Sequence, residues 1–405
     1  MTPSAWMTTT IGGLSAVARG ASPRPIASPR WFDNDGEVRW IRIADVNRSD
    51  GRTLRETTQA LSADGIARSR YLKPGTLIMS IAATVGIPVV TGVPACIHDG
   101  FVALEDLKAD KRFMLYLLKA SEARLREAGQ SGSQMNVNSE IVRGLQVTVP
   151  SDREEQIRIS SALWDADELM DALRRAIAKK RAIKQGMMQE LLTGRTRLPG
   201  FRDSWRVSNV GDFTQVRAGG TPSTSVPRYW GGENRWMSSG EIHQKRVREV
   251  AGRITAAGLR ESAAQLLPVG TVLMALAGQG KTRGTVAVSR VELSTNQSIA
   301  GILPSDEHDS DFLYYNLDTR YMELRGESTG DGGRGGLNLT IIKKLNIYMP
   351  RVEEQRAIAR VIGDVDDELE ILERRLESTR AIKQGMMQEL LTGRTRLPVA
   401  EEVSV

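Results

Sequence analysis

The chain contains the same nineteen residues twice, at positions 181–199 and 380–398, and this identical repeat constrains the fold more than any other feature of the sequence. The offset of 199 residues (380 minus 181) is close to half of the 405-residue chain. Solenoid repeats have periods of roughly 20–50 residues, so a period this long indicates one half-molecule written twice. The sequence therefore predicts two related halves with pseudo-two-fold symmetry.

The similarity of the halves extends beyond the identical block. The motif Glu-Glu-Gln at 154–156 recurs at 353–355, and the segment 20–23 lines up with the segment 219–222. Between such anchors the halves diverge. We therefore predict a first variable domain at 1–150, a first near-constant helix at 151–198, a second variable domain at 199–350, a second near-constant helix at 351–398 and a tail at 399–405.

The near-constant segments have the pattern of long helices. Residues 152–193 contain no proline and one glycine, and their apolar residues alternate spacings of three and four, as in the seam of a coiled coil. A helix of about 42 residues needs a partner for its apolar stripe, and the duplicated helix can provide it. The predicted seam consists of Leu163, Ala166, Met170, Leu173 and Ile177 in the first copy and of Ile362, Val365, Leu369, Leu372 and Leu376 in the second.

Charge indicates how these two helices pair. Each copy is acidic in its N-terminal half and basic in its C-terminal half. This polarity suits the helix dipole, which is one explanation for it. Antiparallel packing would in addition place acid against base, whereas parallel packing would place acid against acid. We therefore predict an antiparallel pair.

The variable domains have an α/β pattern. Short β-rich runs at 77–82, 88–91, 271–276 and 285–288 are separated by Gly and Pro turns. A helix is predicted at 111–127, with a counterpart at 311–325. The predicted fold class is thus α/β, with two α/β domains joined by two long helices that pack as an antiparallel coiled coil.

The chain resembles a known family, the specificity subunits of type I restriction-modification systems. The residues that carry the resemblance are Lys-Gln-Gly-Met-Met-Gln-Glu-Leu-Leu-Thr-Gly at 184–194 and 383–393, the helices that begin with Glu-Glu-Gln, and the two-fold layout. The resemblance implies a DNA-reading subunit with no catalytic centre. The variable domains would be two target recognition domains, each reading one half of a bipartite sequence in double-stranded DNA, and the helices would be the spacer between them.

The resemblance also implies partners. The helices would hold two modification (methyltransferase) subunits, which methylate adenine using S-adenosylmethionine. Two restriction subunits that use ATP and Mg would complete the complex. No cofactor is expected on this chain. The absence of an Asn-Pro-Pro-aromatic or Asp-Pro-Pro-aromatic motif from the sequence agrees with a methyl donor bound elsewhere.

Composition is consistent with this resemblance. The net charge of +6 and the pI near 9.4 favour a polyanionic partner, although an ordinary basic surface would give the same values. Cys96 is the sole cysteine, which excludes a disulfide framework and favours a reducing compartment, so we expect a cytoplasmic protein. His98, His243 and His308 lie far apart in the sequence, which argues against a zinc site.

One glycine-rich segment, at 275–282, is similar to a phosphate-binding loop with alanine in the first glycine position. Such a loop needs a strand before it and a helix after it. The alternating β-branched residues that follow favour a second strand instead. We therefore predict a hairpin loop that presents Gln279, Lys281 and Arg283 to DNA.

Other candidate DNA contacts are cations and polar residues in turns and glycine-rich loops, and a solvated surface position is the alternative for each of them. The candidates in the first domain are Arg19, Arg24, Arg30, Arg68, Arg70, Ser131, Gln134 and Asn136, and those in the second are Arg217, Arg228, Tyr229, Lys245, Arg246 and Arg334. Trp40 and Trp236, which match across the halves, are predicted to lie in the core rather than to stack on bases.

Two other functions are compatible with the sequence. A coiled-coil adaptor that assembles other proteins without binding DNA would also need the long helices, and steeply salt-dependent binding to duplex DNA would distinguish the specificity subunit from it. A self-sufficient restriction-methylation enzyme would transfer methyl groups without any partner, and the missing donor motif argues against it.

Overall fold

The computed structural model describes residues 6–129, 137–278, 281–326 and 336–397, and the chain divides into two compact units. The first unit comprises residues 1–174 together with 374–405, and the second comprises residues 175–373. Each unit therefore contains one domain of strands and short helices, the N-terminal part of one long helix and the C-terminal part of the other.

The domain of the first unit combines strands with short helices. Its strands are β1 (Trp6–Thr10), β2 (Ala16–Arg19), β3 (Arg39–Ile41), β4 (Thr53–Leu54), β5 (Gln59–Ala60), β6 (Arg70–Leu72), β7 (Leu77–Ser80), β8 (Pro88–Thr91), β9 (Ala95–Ile97), β10 (Phe101–Glu105) and β11 (Gln146–Pro150). Its helices are α1 (Ile11–Leu14), α2 (Ile43–Arg48), α3 (Ala63–Ala67), α4 (Lys111–Ala120), α5 (Glu122–Gly129) and α6 (Ser139–Gly144).

The domain of the second unit is built in the same way. Its strands are β12 (Arg206–Asn209), β13 (Val216–Ala218), β14 (Trp230–Met237), β15 (Arg246–Val247), β16 (Gly252–Ile254), β17 (Val272–Ala275), β18 (Val286–Ser289), β19 (Ser294–Thr295), β20 (Ile299–Ile302) and β21 (Asn346–Met349). Its helices are α8 (Val210–Phe213), α9 (Ala256–Arg260), α10 (Ser310–Thr319), α11 (Tyr321–Gly326) and α12 (Leu339–Lys343), and the long helices are α7 (Arg153–Leu191) and α13 (Val352–Leu390).

The main sheets of the two domains correspond strand by strand, whereas a smaller sheet has four strands in the first domain (β5-β3-β9-β6) and three in the second (β16-β14-β19). The main sheet has the order β2-β10-β7-β8-β4 in the first domain and β13-β20-β17-β18-β15 in the second. In both, the last strand pairs parallel to its neighbour and the other neighbours pair antiparallel. The four predicted β-rich runs are strands, with bounds that differ from the prediction by no more than two residues: β7, β8, β17 and β18. Nearly all of their residues are buried, as in strands that are covered on both faces, and such strands appear in a sequence as short apolar runs.

The helix pairs run antiparallel, as predicted. In the second unit, Lys184 contacts Asp366 while the earlier residue Lys180 contacts the later residue Glu368. In the first unit, Asp167 contacts Lys383 and the earlier residue Glu155 contacts the later residue Arg396. All of these contacts join acid to base, so the charge polarity that predicted the orientation is satisfied within each unit.

The predicted seam positions face inward. Six of them are buried (Leu163, Met170, Leu173, Ile177, Ile362 and Leu369) and four are half-buried (Ala166, Val365, Leu372 and Leu376). Both helices have 39 residues, slightly fewer than predicted. The chain turns at Gly194 and Gly393, whose φ values of 69° and 72° end the helices with a left-handed residue.

The Glu-Glu-Gln motif at each helix start ties the helix to its domain. Gln156 accepts a hydrogen bond at Oε1 from the backbone N–H of Asp110 (2.8 Å) and donates one from Nε2 to the carbonyl of Pro150 (2.8 Å). Asp110 in turn caps α4 by accepting from the N–H of Phe113. Gln355 makes the equivalent bonds to Asp309 and Pro350, at 2.9 Å each.

The prediction of a single helix at 111–127, with a counterpart at 311–325, was wrong. The first is divided into α4 and α5 at Ser121, whose hydroxyl donates to the carbonyl of Leu117 and competes with the helical pattern. The second is divided into α10 and α11 at Arg320, where the backbone ψ is 15°. The buried stripe continues through both breaks, which is why the apolar period alone did not reveal them.

No helix in the described parts of the chain is long and apolar enough to cross a membrane.

Candidate nucleic-acid interface

The end of β2 and the loop that follows it place two arginines beside Asp99. The Nε of Arg19 donates to the backbone carbonyl of Asp99 (2.9 Å), and Nη2 of Arg24 donates to its carboxylate (3.0 Å). Burial alone would raise the pKa of Asp99, but the hydrogen bond from Ser22 and the charge of Arg24 outweigh burial and lower it. The carboxylate is therefore charged at neutral pH and holds this loop against the turn between β9 and β10.

Farther along the same loop, two arginines stack on one tryptophan. Trp31 lies in a single 3₁₀ turn, Pro29–Trp31, is almost completely buried, and donates from Nε1 to the carbonyl of Pro25 (2.8 Å). The guanidinium of Arg30 lies 3.7 Å from the ring centroid and that of Arg68 lies 5.6 Å from it. A guanidinium over a ring keeps its N–H edge available, which suits contacts to phosphate or to guanine.

The second domain repeats this turn with a different charge. Its Pro227–Tyr229 turn packs against α9 as Pro29–Trp31 packs against α3. Glycine is required in both helices, because a Cβ at Gly65 or Gly258 would lie 2.4 or 2.5 Å from the backbone carbonyl of the turn aromatic. The residue after the helix is Arg68 in the first domain and Glu261 in the second.

Glu261 neutralises the turn of the second domain. Its carboxylate accepts from Nη2 of Arg228 (2.6 Å) and from the hydroxyl of Tyr229 (2.9 Å). Two cations at the first turn thus correspond to an ion pair at the second. The two domains share a scaffold but present different electrostatics at an equivalent surface position.

The segment predicted to be a hairpin rather than a phosphate loop is a hairpin. Strands β17 and β18 pair antiparallel, with Met274 opposite Val286, and β18 is the element that follows β17 in the described residues. Lys281 is exposed, and its carbonyl accepts from the hydroxyl of Tyr321 (3.1 Å), while the neighbouring Thr282 Oγ1 lies 3.4 Å from His243 Nε2. Arg283 is half-buried in the same loop.

Several candidate cations are engaged by other side chains of their own unit. Arg70 pairs with Glu105 (2.5 Å), and Arg217 bonds the side chain of Gln215 (3.1 Å). Arg246 lies against helix α13, where it pairs with Asp367 (3.2 Å) and bonds the hydroxyl of Tyr315 (2.5 Å). Lys245 is exposed beside Arg246 with a left-handed φ of 59°.

Five of the candidate DNA contacts lie outside the residues that the structure describes. They are Ser131, Gln134, Asn136, Gln279 and Arg334.

The matched tryptophans differ in burial. Trp40 is almost completely buried, as predicted for a core residue. Trp236 is half-buried, donates from Nε1 to the carbonyl of Gly220 (3.0 Å) and packs edge-on against Trp230 at a centroid distance of 5.0 Å.

The geometry shows contacts that sequence reasoning missed. Arg52 pairs with Asp171 on helix α7 and lies over the ring of Trp164 (4.7 Å). Tyr116 donates to Asp167 in the first unit, and Tyr315 donates to Asp366 in the second. The offset of 199 residues links the two tyrosine–aspartate pairs and was the signal that could have found them.

Within the described residues, no group of three or more His, Cys, Asp or Glu side chains is arranged to hold a metal ion. Cys96 is buried, and burial raises the pKa of its thiol to about 12. The thiolate, which is the form that binds metals, is therefore disfavoured at neutral pH.

Comparison with known proteins identifies the family of the chain. The family model for the type I restriction modification DNA specificity domain matches residues 3–181 and, as a second copy, residues 202–379. The chain belongs to the type I restriction modification DNA specificity family. The resemblance inferred from the repeated helix ends is thereby confirmed.

Curated relatives of the chain include two proteins of Methanocaldococcus jannaschii. The type I restriction enzyme MjaIX specificity subunit is 31% identical over 170 residues, which are 41% of this chain and 39% of that protein. The putative type I restriction enzyme MjaX specificity subunit is 24% identical over 307 residues, which are 72% of this chain and 69% of that protein. The chain thus matches well under half of the length of the first relative and about two thirds of the second.

Solved structures show the same fold. The S subunit of the type I restriction-modification system from M. genitalium matches with a TM-score of 0.63 at 14% identity, covering 96% of this chain and 97% of that chain. A chain from a study of complex assembly and conformational transition of the type I R-M system matches with a TM-score of 0.58 at 16% identity, covering 97% and 99%. The predicted fold class is confirmed.

Proposed function

We propose that this chain is a sequence-specific DNA-binding subunit that reads a bipartite target in double-stranded DNA and directs methylation and restriction by partner subunits. Each domain reads one half of the target. Two copies of a DNA specificity domain in one chain support this proposal, as do two units whose main sheets have the same strand order.

The observation that carries the proposal is the difference between the two equivalent turns. In the first domain, Arg30 and Arg68 stack on Trp31, and in the second, Glu261 pairs with Arg228. Packing explains why the turn and its glycine are shared, but it does not explain why a cation is replaced by an anion. A domain that reads a different sequence needs a different set of donors and charges at its surface.

The chain itself is proposed to be non-catalytic. Two modification subunits that bind S-adenosylmethionine would transfer methyl groups, and two restriction subunits would use ATP and Mg. The C-terminal parts of the long helices, which are identical between the halves from Arg181 and from Arg380 onwards, would form equivalent docking sites for the two modification subunits. We place the protein in the cytoplasm, where its DNA target would be.

Adenine methylation in living cells tests the proposal. The chain is produced with its modification subunits in a host that lacks other adenine methylation, and methylated adenines are mapped across the genome. We expect one bipartite sequence with a fixed gap. Cells that produce the chain alone, and cells that produce only the modification subunits, are the controls and should show no methylation. Methylation by the chain alone would identify it as a self-sufficient enzyme.

DNA binding by the purified chain distinguishes it from an adaptor. Its affinity for duplex DNA should fall steeply as salt rises, because each neutralised phosphate releases counterions. Stable assembly with the modification subunits but no binding to duplex DNA, by the chain or by the assembly, would contradict the proposal.

A further inference from the structure

A half-buried carboxylate joins three elements in the first unit. Oδ2 of Asp167, on helix α7, accepts from the hydroxyl of Tyr116 on α4 (2.7 Å). Oδ1 of the same carboxylate lies 2.6 Å from Nζ of Lys383 on α13. The lysine Nζ also lies 5.4 Å from the centroid of the Tyr116 ring. The domain helix and both long helices therefore meet at one carboxylate.

The second unit contains the same arrangement at equivalent positions. Oδ2 of Asp366 accepts from the hydroxyl of Tyr315 (2.8 Å), and its Oδ1 lies 2.7 Å from Nζ of Lys184. Lys184 Nζ lies 5.2 Å from the centroid of the Tyr315 ring. We call these two groups, Tyr116–Asp167–Lys383 and Tyr315–Asp366–Lys184, the anchor clusters.

The anchor clusters are shielded from water. The side chains of Asp167 and Lys383 are 14% and 15% exposed, and those of Asp366 and Lys184 are 20% and 12% exposed. Burial, together with the neighbouring carboxylate, raises the pKa of both tyrosines, so that the phenols stay protonated and can donate. Each carboxylate oxygen thus has its own donor in surroundings where hydrogen bonds are strong.

The clusters differ in kind from the contacts around them. The remaining contacts of α4 and α10 with their surroundings are largely apolar. Apolar contacts are non-directional, so by themselves they specify the position of a helix less sharply than polar contacts do. A hydrogen bond and an ion pair to one carboxylate are directional, so they favour one position of the domain helix on the helix pair.

Each domain adds one arginine to this attachment. In the second unit, Arg246 lies 3.5 Å from Asp366 and bonds Tyr315. In the first unit, Arg52 pairs with Asp171, one turn of α7 beyond Asp167. The two arginines come from equivalent edge strands or the residue before them. The attachment is thus kept in both halves although its details differ.

We propose that the anchor clusters are positioning residues that fix the angle of each recognition domain on its helices, and thereby the number of base pairs accepted between the half-sites. This inference rests on the proposed function. If the angle of a domain were loose, sites with one base pair more or fewer in the gap would be accepted as well.

The test uses the complete complex with the full-length chain. The variants Tyr116→Phe, Tyr315→Phe and the double variant remove only the hydroxyl groups. Tyr314→Phe is the matched control. Tyr314 is a buried tyrosine next to Tyr315 on α10, and its hydroxyl is not part of an anchor cluster. Methylated adenines are mapped in the genome, and methylation is compared between sites with the native gap and sites with one base pair more or fewer.

We expect the double variant to lose about 10-fold in discrimination between the native gap and its neighbours, which is the scale of a hydrogen bond to a charged group, while both half-sites stay unchanged. Tyr314→Phe should keep the discrimination of the wild type. Folding is checked by thermal unfolding of each purified variant. If the double variant does not fold, Asp167→Asn and Asp366→Asn, which preserve shape, take its place with the same expectation.

A folded variant with wild-type discrimination would overturn the inference and leave the clusters a role in stability alone. A changed half-site would also overturn it, since the clusters would then act on base reading. If the wild-type complex methylates no bipartite sequence at all, the proposed function fails, and the inference fails with it.

Discussion

Nε of Arg197 lies 2.6 Å from Oε1 of Glu354, and Nη2 of the same arginine lies 2.7 Å from Oε2, although the two residues are 157 positions apart. Arg197 belongs to the identical nineteen-residue repeat and Glu354 to the Glu-Glu-Gln motif. Arg396 and Glu155 form the equivalent pair, at 2.6 Å. The segment that follows each long helix is therefore bound to the start of the other helix, which gives both motifs a structural reason to occur twice.

This pair predicts unequal roles for two adjacent glutamates. The side chain of Glu354 is 2% exposed, whereas Glu353 is exposed to solvent. Glu354→Gln removes the charge that Arg197 binds on both oxygens, and we expect a melting temperature lower by roughly 3–8 °C. Glu353→Gln should leave it unchanged. Calorimetry of the two variants checks the prediction, and equal melting temperatures would show that the ion pair contributes nothing to stability.

Replacement of Glu261 should strengthen DNA binding. Glu261→Gln releases Arg228 from its ion pair and makes the turn of the second domain more cationic, like that of the first. We expect affinity for duplex DNA to rise and the salt dependence to steepen by roughly one phosphate contact. Glu233→Gln removes an exposed charge of the same domain without releasing Arg228 and should have a smaller effect. Fluorescence anisotropy over a salt series measures both quantities.

Removal of Arg68 should have the opposite effect in the first domain. Arg68→Ala leaves Arg30 on Trp31 but removes the second cation, so the salt slope should fall by about one and affinity should decrease. Arg126→Ala is a control with the same change in net charge, because Arg126 is paired with Glu122 on α5. An unchanged salt slope in Arg68→Ala would place this turn outside the DNA interface.

The sequence predicted the strands and the helix orientation better than the side-chain contacts that hold each domain on its helices. The strand after the glycines at 278 and 280 was predicted from the alternation of β-branched residues, and the antiparallel packing from the acidic and basic halves of each helix. Both signals are properties of single segments. Tyr116, in contrast, lies within a run of buried residues, Phe113 to Leu118, and in the sequence it looks like any core aromatic. Its role depends on which carboxylate α7 places opposite its hydroxyl, and no spacing within α4 encodes that.

A similar limit applies to the candidate DNA contacts. Arg246 and Arg228 look alike as exposed cations in the sequence, yet Arg246 lies against helix α13 and Arg228 lies against Glu261. An arginine can lie at the surface with or without an acidic partner, so the sequence does not show which acid each arginine contacts. Only the fold determines which acid is within reach.

His308 should make the stability of the second domain depend on pH. It is buried beside Phe213, and burial lowers the pKa of its imidazole to about 4. In the unfolded chain the ring would titrate near 6.5, so the unfolded state takes up a proton first as the pH falls. At pH 7 neither state is protonated, and between pH 6.5 and 4 this histidine should remove about 2–3 kcal/mol of stability.

Denaturant unfolding at pH 7 and pH 4.5 measures this contribution. In His308→Asn the loss of stability on acidification should be smaller than in the wild type by about 2–3 kcal/mol. His243→Asn is the control, because His243 is exposed. Equal losses in all three proteins would mean that the ring of His308 is protonated in the folded state.

The last prediction concerns the gap between half-sites, which we expect the long helices to set. Insertion near Leu192 would disturb the structure, since Leu192 is buried in the core of the second unit beyond the end of α7. Insertion between residues 174 and 175 and between 373 and 374 leaves the residues of both compact units intact. Four helical residues at both points lengthen each helix by roughly 6 Å.

That length corresponds to one or two base pairs at roughly 3.4 Å each. Four residues also turn the helix by roughly 400°, which is about 40° from the original orientation, so we expect binding to survive. The consensus of methylated sites, mapped before and after insertion, should show a longer gap between unchanged half-sites. Replacement of exposed residues beside the two insertion points by alanine, without insertion, is the control and should leave the gap unchanged. Retained methylation with an unchanged gap in the insertion variant would mean that the recognition domains, and not the helices, determine the spacing.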